Sequence, residues 1–146
     1  MRITQPTIKE LKSEQERIEA FPIMKQLRTH LNTHSFIELV SQAVEENDYQ
    51  LFALYDENRI VAVCGFMPMI TLYNGRSIWV CDLVTDSSLR SKGYGKTLLN
   101  YVEHWAKKQN YDVVSLSSGL QRASAHQFYE EKMEYGKTSY VFVKKL

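Results

Sequence analysis

The chain has 146 residues, of which 44% are hydrophobic and 24% are charged, and its formal net charge is +1 at neutral pH. These values are typical of one globular domain over residues 1–146, and the near-zero charge argues against general binding to nucleic acid or to a membrane surface. No apolar stretch is long enough for a membrane-spanning helix, and residues 1–6 lack the apolar core of a signal peptide, so we expect a cytoplasmic protein.

The first third of the chain predicts two helices. Residues 8–11, with Ile18, suggest an amphipathic helix that Phe21 and Pro22 interrupt. A second apolar stripe at helical spacing runs from residue 36 to 44, and Asn47-Asp48 is typical of its end.

Strands follow in the middle of the chain. Residues 49–55 and 59–67 are rich in apolar and aromatic residues, and the polar stretch 56–58 between them predicts a turn. The dipeptide Asn74-Gly75 is a strong hairpin signal, and it leads into a strand that ends near Thr85.

The remaining elements alternate between helix and strand. A helix opens near Thr97 and is expected to bury an apolar stripe: Leu98, Leu99, Val102, Trp105 and Ala106. A short strand over 112–117, a helix over 121–133 and a final strand over 139–143 complete the order. This order predicts an α+β fold.

A glycine-containing basic loop, residues 90–96, lies between the strand that ends near Thr85 and the helix that opens near Thr97. Backbone N–H groups at the start of a helix have no intrahelical partner, and the helix dipole favours negative charge there. Gly93 and Gly95 allow close approach of the backbone to a ligand, and Arg90, Lys92 and Lys96 add positive charge. We therefore expect a phosphate group to bind at this loop.

Two familiar phosphate loops do not fit this sequence. A Walker A loop requires glycine at position 90, which is Arg90, and a dinucleotide fingerprint starting at Gly93 requires glycine at position 98, which is Leu98. What remains is the pattern Arg-x-x-Gly-x-Gly.

The cysteines and histidines do not predict a metal site. Cys64 and Cys81 lie in apolar strand-like runs, where cysteine behaves as a small hydrophobe, so we expect neither a disulfide framework nor a zinc site. His30 and His34 have i, i+4 spacing, but no cysteine or carboxylate completes a clear set of ligands.

The stretch Asp82–Thr85, followed by Arg90–Gly95, resembles the Gln/Arg-x-x-Gly-x-Gly/Ala loop of the GNAT superfamily of N-acetyltransferases. A second block, residues 117–129, is similar to the family's segment after its fifth strand, which typically ends in Ala-x-x-Phe/Leu-Tyr. The resemblance runs from about Tyr49 to the C-terminus, and more weakly through the N-terminal helices. It implies a mixed, mostly antiparallel central sheet flanked by helices.

The resemblance implies that acetyl-CoA is the donor and that no metal is needed. The backbone of Leu83, Val84 and Thr85 would bind the pantetheine arm and the acetyl carbonyl. The pyrophosphate would be held by the loop residues Arg90, Ser91, Lys92, Gly93, Tyr94, Gly95 and Lys96.

The resemblance also implies catalytic roles. Tyr129 matches a tyrosine that often protonates the leaving thiolate. Asp82 is the only carboxylate near the position where many relatives carry a general base, and the alternatives are a water chain or a base from another segment. Ser118 stands in the region where many relatives have an asparagine that binds pantetheine, and His126 is expected to be structural or to lie at the edge of CoA.

The expected acceptor is a primary amine, on a small molecule or a peptide, that attacks the thioester directly in a ternary complex. Phe21, Met24 and Tyr73 are candidates to wall the acceptor site. Homodimers are common in the family, so a homodimer is expected. Two alternatives remain: a CoA-binding sensor or structural module without turnover, and a transferase for another acyl group.

Overall fold

A computed structural model describes residues 5–90 and 92–146 of the chain. Ser91, which the sequence assigns to the phosphate loop, lies outside the described residues. The chain divides into two compact units, residues 1–115 and residues 116–146.

The first unit contains the sheet and the longer helices. Its strands are β1 (Thr7–Glu10), β2 (Gln50–Asp56), β3 (Arg59–Thr71), β4 (Gly75–Thr85) and β5 (Val113–Leu116), the last of which ends at the boundary between the units. Its helices are α1 (Glu14–Leu27), α2 (Thr33–Asn47) and α3 (Tyr94–Lys108), and a short 3₁₀ turn, Ser87–Leu89, follows β4.

The strands form one sheet in the order β1-β2-β3-β4-β5, and the first four are joined in antiparallel pairs. The register of β3 and β4 is interrupted once, because Gly65 pairs with Asp82 and Phe66 pairs with Val80. Cys81 is therefore an extra residue in β4, which makes a β-bulge at this point. The bulge lies two residues before Leu83.

Helices cover both faces of the sheet. One face buries small and branched apolar side chains against α1 and α2, among them Leu51, Ala53, Val63 and Val84. The opposite face carries Phe52 and Phe66, whose rings lie 5.7 Å from Tyr101 and 5.0 Å from Trp105 of α3. The prediction of a mostly antiparallel sheet flanked by helices is thus confirmed.

Local side-chain bonds define where α1 begins. Ser13 Oγ accepts from the Glu16 N–H at 3.1 Å, and Glu16 Oε1 accepts from the Ser13 N–H at 3.0 Å, which forms a capping box. Lys9 Nζ of β1 lies 2.6 Å from Glu16 Oε2. The lysine and the Ser13 amide lower the pKa of Glu16 to about 2. This cluster joins the edge strand to the first helix.

Two predictions for the N-terminal third are wrong. Residues 7–10 form β1, where a helix was expected, because alternating half-buried side chains of so short a run satisfy an edge strand as well as a helix turn. Pro22 does not interrupt a helix but lies inside α1. Its ring is exposed, so the carbonyl that loses its hydrogen bond is on the solvent side, where water can replace the partner.

The second unit contains a short helix, α4 (Ala123–Gln127), that continues into one π-helical turn, Phe128–Lys132. This agrees with the predicted helix over 121–133. The strand predicted over 139–143 is wrong, because these residues have no regular secondary structure and most of their side chains are exposed, including Tyr140 and Phe142. Alternating apolar residues become a strand only beside a partner, and residues 117–146 contain no other strand.

Gly65 has no side chain, which leaves room for the ring of Tyr49 on the sheet. We therefore expect its replacement to destabilise the fold. A Cβ at this position would lie 1.7 Å from the hydroxyl oxygen of Tyr49, which is buried, so the Gly65→Ala variant must displace the ring. Overpacking with a lost buried hydrogen bond should lower the free energy of unfolding by about 2–4 kcal/mol, measured by urea denaturation.

The Gly136→Ala variant is the matched control, because a Cβ there would make only an ordinary contact at 3.8 Å. Equal stability of the two variants would contradict the steric argument.

Candidate functional site

The basic loop leads into a helix that has no side-chain cap. Gly93 is the N-cap residue of α3, with φ +81° and ψ 9°, and glycine has no side chain that could accept a hydrogen bond from the first turn. The left-handed backbone at position 93 explains why glycine stands there. The N–H groups at the start of α3 are therefore available to an anion.

The charged side chains of the loop are at the surface, while its tyrosine is anchored in the protein. Arg90, Lys92 and Lys96 are exposed. Tyr94 is buried, and its hydroxyl donates to the carboxylate of Asp56, the last residue of β2. Tyr94 thus fixes the loop to the sheet through its side chain.

The last residues of β4 have one edge that no strand of the first unit covers. Asp112 N donates to Arg76 O at 2.9 Å, so the four-residue strand β5 begins beside the start of β4 and is too short to reach Leu83. We call the side of residues 83–85 that faces away from β3 the open edge of β4.

Hydrogen-bond alternation decides which residues face the open edge. Asp86 N donates to Val61 O at 2.9 Å, which marks a hydrogen-bonded pair, and pairs alternate in an antiparallel ladder. Val84 therefore directs its N–H and C=O toward β3, opposite Val63. Leu83 and Thr85 direct theirs toward the open edge. Of the three predicted backbone ligands, these two have the required direction.

Asp82 is tied to two other elements. Its Oδ1 accepts from Arg28 Nε at 2.9 Å, and its Oδ2 accepts from the Tyr49 hydroxyl at 2.7 Å. A second guanidinium nitrogen of Arg28 donates to the carbonyl of Cys81, the bulged residue, at 2.7 Å. Burial and the Asp82 charge raise the pKa of Tyr49 well above its usual value, so the hydroxyl remains a donor. Both oxygens of the proposed base are thus already engaged.

The two cysteines are unsuited to act as nucleophiles at neutral pH. Burial, and secondarily the negative charge of Asp82, raise the pKa of the Cys81 thiol from 9.0 to about 12. Cys64 is fully buried, and its pKa is raised further for the same reasons. This agrees with the expectation that both are packing residues.

The structure does not gather the predicted acceptor residues at one surface. Phe21 and Met24, both in α1, have side chains that are buried in the core. The ring centroids of Phe21 and Phe36 lie 5.1 Å apart. Tyr73 lies at the tip of the β3–β4 hairpin with 81% of its surface exposed. Of the three candidates, Phe21 and Met24 are thus part of the hydrophobic core.

The second unit holds the remaining predicted residues. Tyr129 is buried in the π-helical turn, with the rings of Phe128 and Tyr135 5.2 and 6.0 Å away. His126 Nε2 lies 2.8 Å from the Gly119 carbonyl, which fits a structural role. The Ser118 hydroxyl oxygen is buried without a hydrogen-bond partner among residues 5–90 and 92–146. A buried hydroxyl without a partner is a candidate to hydrogen-bond a ligand.

Sequence reasoning missed the residues that hold β4. Arg28 and Tyr49 reach Asp82 from 54 and 33 residues away, and no local pattern links them. Gln26 is a similar case, because its side chain accepts from Ser87 N at 2.7 Å. The only local signal is Asp82 itself, a carboxylate inside an apolar strand, which requires a buried partner.

Fold, loop and sequence together define an acetyltransferase class. The sequence pattern of the "Acetyltransferase (GNAT) family" matches residues 11–135. The chain therefore belongs to the GNAT family of acetyltransferases. It is 45% identical over 137 residues, which are 94% of this chain and 96% of the relative, to a Bacillus subtilis (strain 168) protein named "Uncharacterized N-acetyltransferase YhdJ".

Solved structures share the fold. A GNAT family acetyltransferase from Staphylococcus aureus superposes with a TM-score of 0.79 at 22% identity, covering 98% of this chain and all of that one. The aminoglycoside N-acetyltransferase AAC(6')-Iy in complex with CoA gives 0.81 at 10% identity, covering 100% of this chain and 99% of its own.

The described residues contain neither a membrane-spanning helix nor a group of metal ligands. No helix in them is long and apolar enough to cross a membrane. No three histidine, cysteine or acidic side chains in residues 5–90 and 92–146 are grouped so that they could hold a metal ion.

The raised pKa of Cys81 has a measurable consequence in thiol chemistry. At pH 8 a thiol with a pKa of about 12 has on the order of a thousandfold less thiolate than one at 9, so native Cys81 should react with iodoacetamide far more slowly than the unfolded chain. Mass spectrometry of a Cys64→Ala variant, which isolates Cys81, measures both rates. Equal native and unfolded rates would refute the assignment.

Proposed function

We propose that this protein transfers an acetyl group from acetyl-CoA to a primary amine, by direct attack in a ternary complex. The observation that carries the proposal is the continuity of two features. The open edge of β4 offers backbone groups of Leu83 and Thr85, and the same chain then enters the uncapped start of α3 through a basic loop. The donor fits these two features. The amides of its extended pantetheine arm can pair with strand backbone, and its pyrophosphate can accept from helix N–H groups.

The donor would bind along this path. The amides of the pantetheine arm would pair with Leu83 and Thr85 as an added strand, because both groups have alternating donors and acceptors. The pyrophosphate would accept from the N–H groups at Gly93–Lys96, and the exposed cations Arg90, Lys92 and Lys96 would add attraction. The family resemblance also assigns Ser118 to the binding of the arm.

The reaction requires deprotonation of the amine, stabilisation of an oxyanion and protonation of the leaving thiolate. The amine nitrogen, once deprotonated, attacks the thioester carbon, and a backbone N–H at Leu83 would stabilise the oxyanion of the tetrahedral intermediate. The C–S bond then breaks, and the thiolate takes a proton from the Tyr129 hydroxyl. The product amide and CoA leave, and solvent restores the proton of Tyr129.

An amine with a pKa near 10 is mostly protonated at neutral pH, so a group must remove its proton before attack. Asp82 was the candidate base, but its two oxygens already accept from Arg28 and Tyr49. We therefore favour a water chain as the acceptor of this proton, with Asp82 supporting β4.

Comparisons support the class of reaction and leave the acceptor open. The name of the Bacillus subtilis relative includes N-acetyltransferase, and one structural relative was solved with CoA. Another is the aminoglycoside acetyltransferase meta-AAC0020 from an uncultured soil sample, in complex with sisomicin, with a TM-score of 0.78 at 16% identity, covering 97% and 96% of the two chains. We propose that the acceptor is an amine on a small molecule or peptide, and that the protein is a homodimer.

The occupied carboxylate of Asp82 favours one alternative. A protein that binds CoA without a free base could serve as a sensor or structural module. It would bind acetyl-CoA but release no CoA with hydroxylamine, spermidine, sisomicin or a lysine peptide. Competition with propionyl-CoA and succinyl-CoA tests the third possibility, another acyl group.

The loop assignment is tested by placing a carboxylate in it. The Gly93→Glu variant should weaken acetyl-CoA binding at least tenfold, which is about 1.4 kcal/mol, because the new charge faces the pyrophosphate. Titration calorimetry measures the affinity.

Gly75→Glu is the matched control for this change. Gly75 also has a positive φ, +71°, with open space around a Cβ, but it lies at the β3–β4 hairpin. If both variants bind acetyl-CoA as the unmodified protein does, the loop does not hold the pyrophosphate.

The role of Tyr129 is tested by removing its hydroxyl alone. Tyr129→Phe should lower kcat for CoA release by about 10²–10³ with little change in the affinity for CoA, because a general acid acts on the leaving thiolate. Tyr140→Phe, at an exposed position in the same unit, is the control. Full activity in the Tyr129 variant would return this residue to packing alone.

A further inference from the structure

The last turn of α1 contacts β4 on both sides of the open edge. Gln26 accepts from Ser87 N at 2.7 Å and donates to Asp86 Oδ1 at 3.3 Å, beyond the end of the strand. Arg28, the C-cap residue of α1, binds Cys81 and Asp82, which precede residues 83–85 in the chain. Residues 83–85 lie between these two points of attachment.

Arg28 binds a backbone atom that the bulge removes from regular pairing. A bulged residue is left without a partner in the ladder, so the local conformation depends on other contacts. The Cys81 carbonyl accepts from Arg28 at 2.7 Å, and the same guanidinium donates to Asp82 Oδ1 at 2.9 Å. A planar guanidinium can bridge two such acceptors, whereas an ammonium group cannot do so in the same geometry.

The guanidinium is itself held in place. Asp82 cannot turn away from it freely, because its other oxygen accepts from Tyr49 at 2.7 Å. The Tyr49 ring in turn occupies the space over Gly65, where a Cβ would clash at 1.7 Å. Gly65 pairs with Asp82 in the sheet, so the cluster closes on the bulge from which it starts. We call Arg28, Tyr49, Gly65 and Asp82 the bulge cluster.

We propose that Arg28 is a positioning residue for acetyl transfer: by bridging the Cys81 carbonyl and the Asp82 carboxylate, it fixes the bulge and thereby the Leu83 and Thr85 N–H groups at the open edge. The proposal rests on the proposed function, in which these groups bind the arm and the thioester. Leu83 is two residues from the bridged carbonyl, so a change in the bulge moves its N–H directly.

Arg28→Lys is the variant that keeps the charge and loses the bridge. We expect kcat for acetyl transfer to hydroxylamine, a small nucleophile that needs no acceptor pocket, to fall at least tenfold. The affinity for CoA should fall by a smaller factor than kcat does, because the groups that bind the arm shift while the pyrophosphate loop is left intact. A variant that is only less stable would have a smaller folded fraction. Its folded molecules would still show the kcat and the CoA affinity of the unmodified protein.

Arg17→Lys is the matched control. Arg17 lies on the same helix, and its Nε donates at 3.1 Å to the backbone carbonyl of Leu11, a residue outside β4. It should leave kcat within twofold. If Arg28→Lys also leaves kcat within twofold in the folded protein, the proposal is overturned.

A second measurement needs no activity. In the ¹⁵N-labelled free protein, Arg28→Lys should shift the amide signals of Leu83 and Thr85 more than Arg17→Lys does. Unchanged signals would overturn the positioning role even if transfer were slow. If the unmodified protein fails to bind acetyl-CoA while these signals move, the proposed function fails and the control of β4 by Arg28 remains.

Asp82→Asn separates positioning from base catalysis, and it serves if Arg28→Lys does not fold. It keeps an oxygen for the guanidinium but removes the charge, so kcat should fall while the acidic limb of the pH profile of kcat/KM is retained. Loss of that limb would make Asp82 the base, and Arg28 would then act through catalysis rather than through the bulge.

Discussion

The bidentate contact from Arg28 to Asp82 and to the Cys81 carbonyl is the constraint on which the site depends. A carboxylate inside an apolar strand is costly unless it is paired, and here the partner arrives from the end of α1. The pairing joins the end of α1 to the bulge in β4. The connection between α2 and β2 reaches the same point, because Tyr49 in that connection donates the second hydrogen bond to Asp82. Removing one member leaves the others with unmet hydrogen-bonding groups, so the cluster acts as a unit.

The two faces of the sheet divide the work of the first unit. On the face covered by α3, aromatic rings such as Phe66 and Trp105 provide a packed layer that needs no polar groups. On the face covered by α1 and α2, apolar packing gives way to the bulge cluster near the open edge. The polar groups therefore lie where β4 leaves regular pairing, and the rest of that face remains hydrophobic.

Much of this fold follows from local patterns, and the site follows only in part. β2, β3, β4, α2 and α3 were predictable because their apolar periods are long enough to distinguish strand from helix. The four residues of β1 were not, since so short a run fits both. The loop around Gly93 was predictable because a positive φ at a single position favours glycine, and glycine is visible in the sequence. The partners of Asp82 were not, because they are 54 and 33 residues distant in sequence and meet only through tertiary packing.

The glycine that begins α3 also implies a compromise between stability and ligand affinity. An N-cap serine, aspartate or asparagine typically stabilises a helix by about 1 kcal/mol, by accepting from the N–H groups of the first turn. At position 93 such a side chain would compete for the donors that an anion would use, and its Cβ would meet the strain of a φ of +81°. The chain thus leaves a helix terminus less stable than it could be. If an anion binds there as proposed, its binding would recover this lost free energy, and occupancy of the loop and the stability of α3 would be thermodynamically linked.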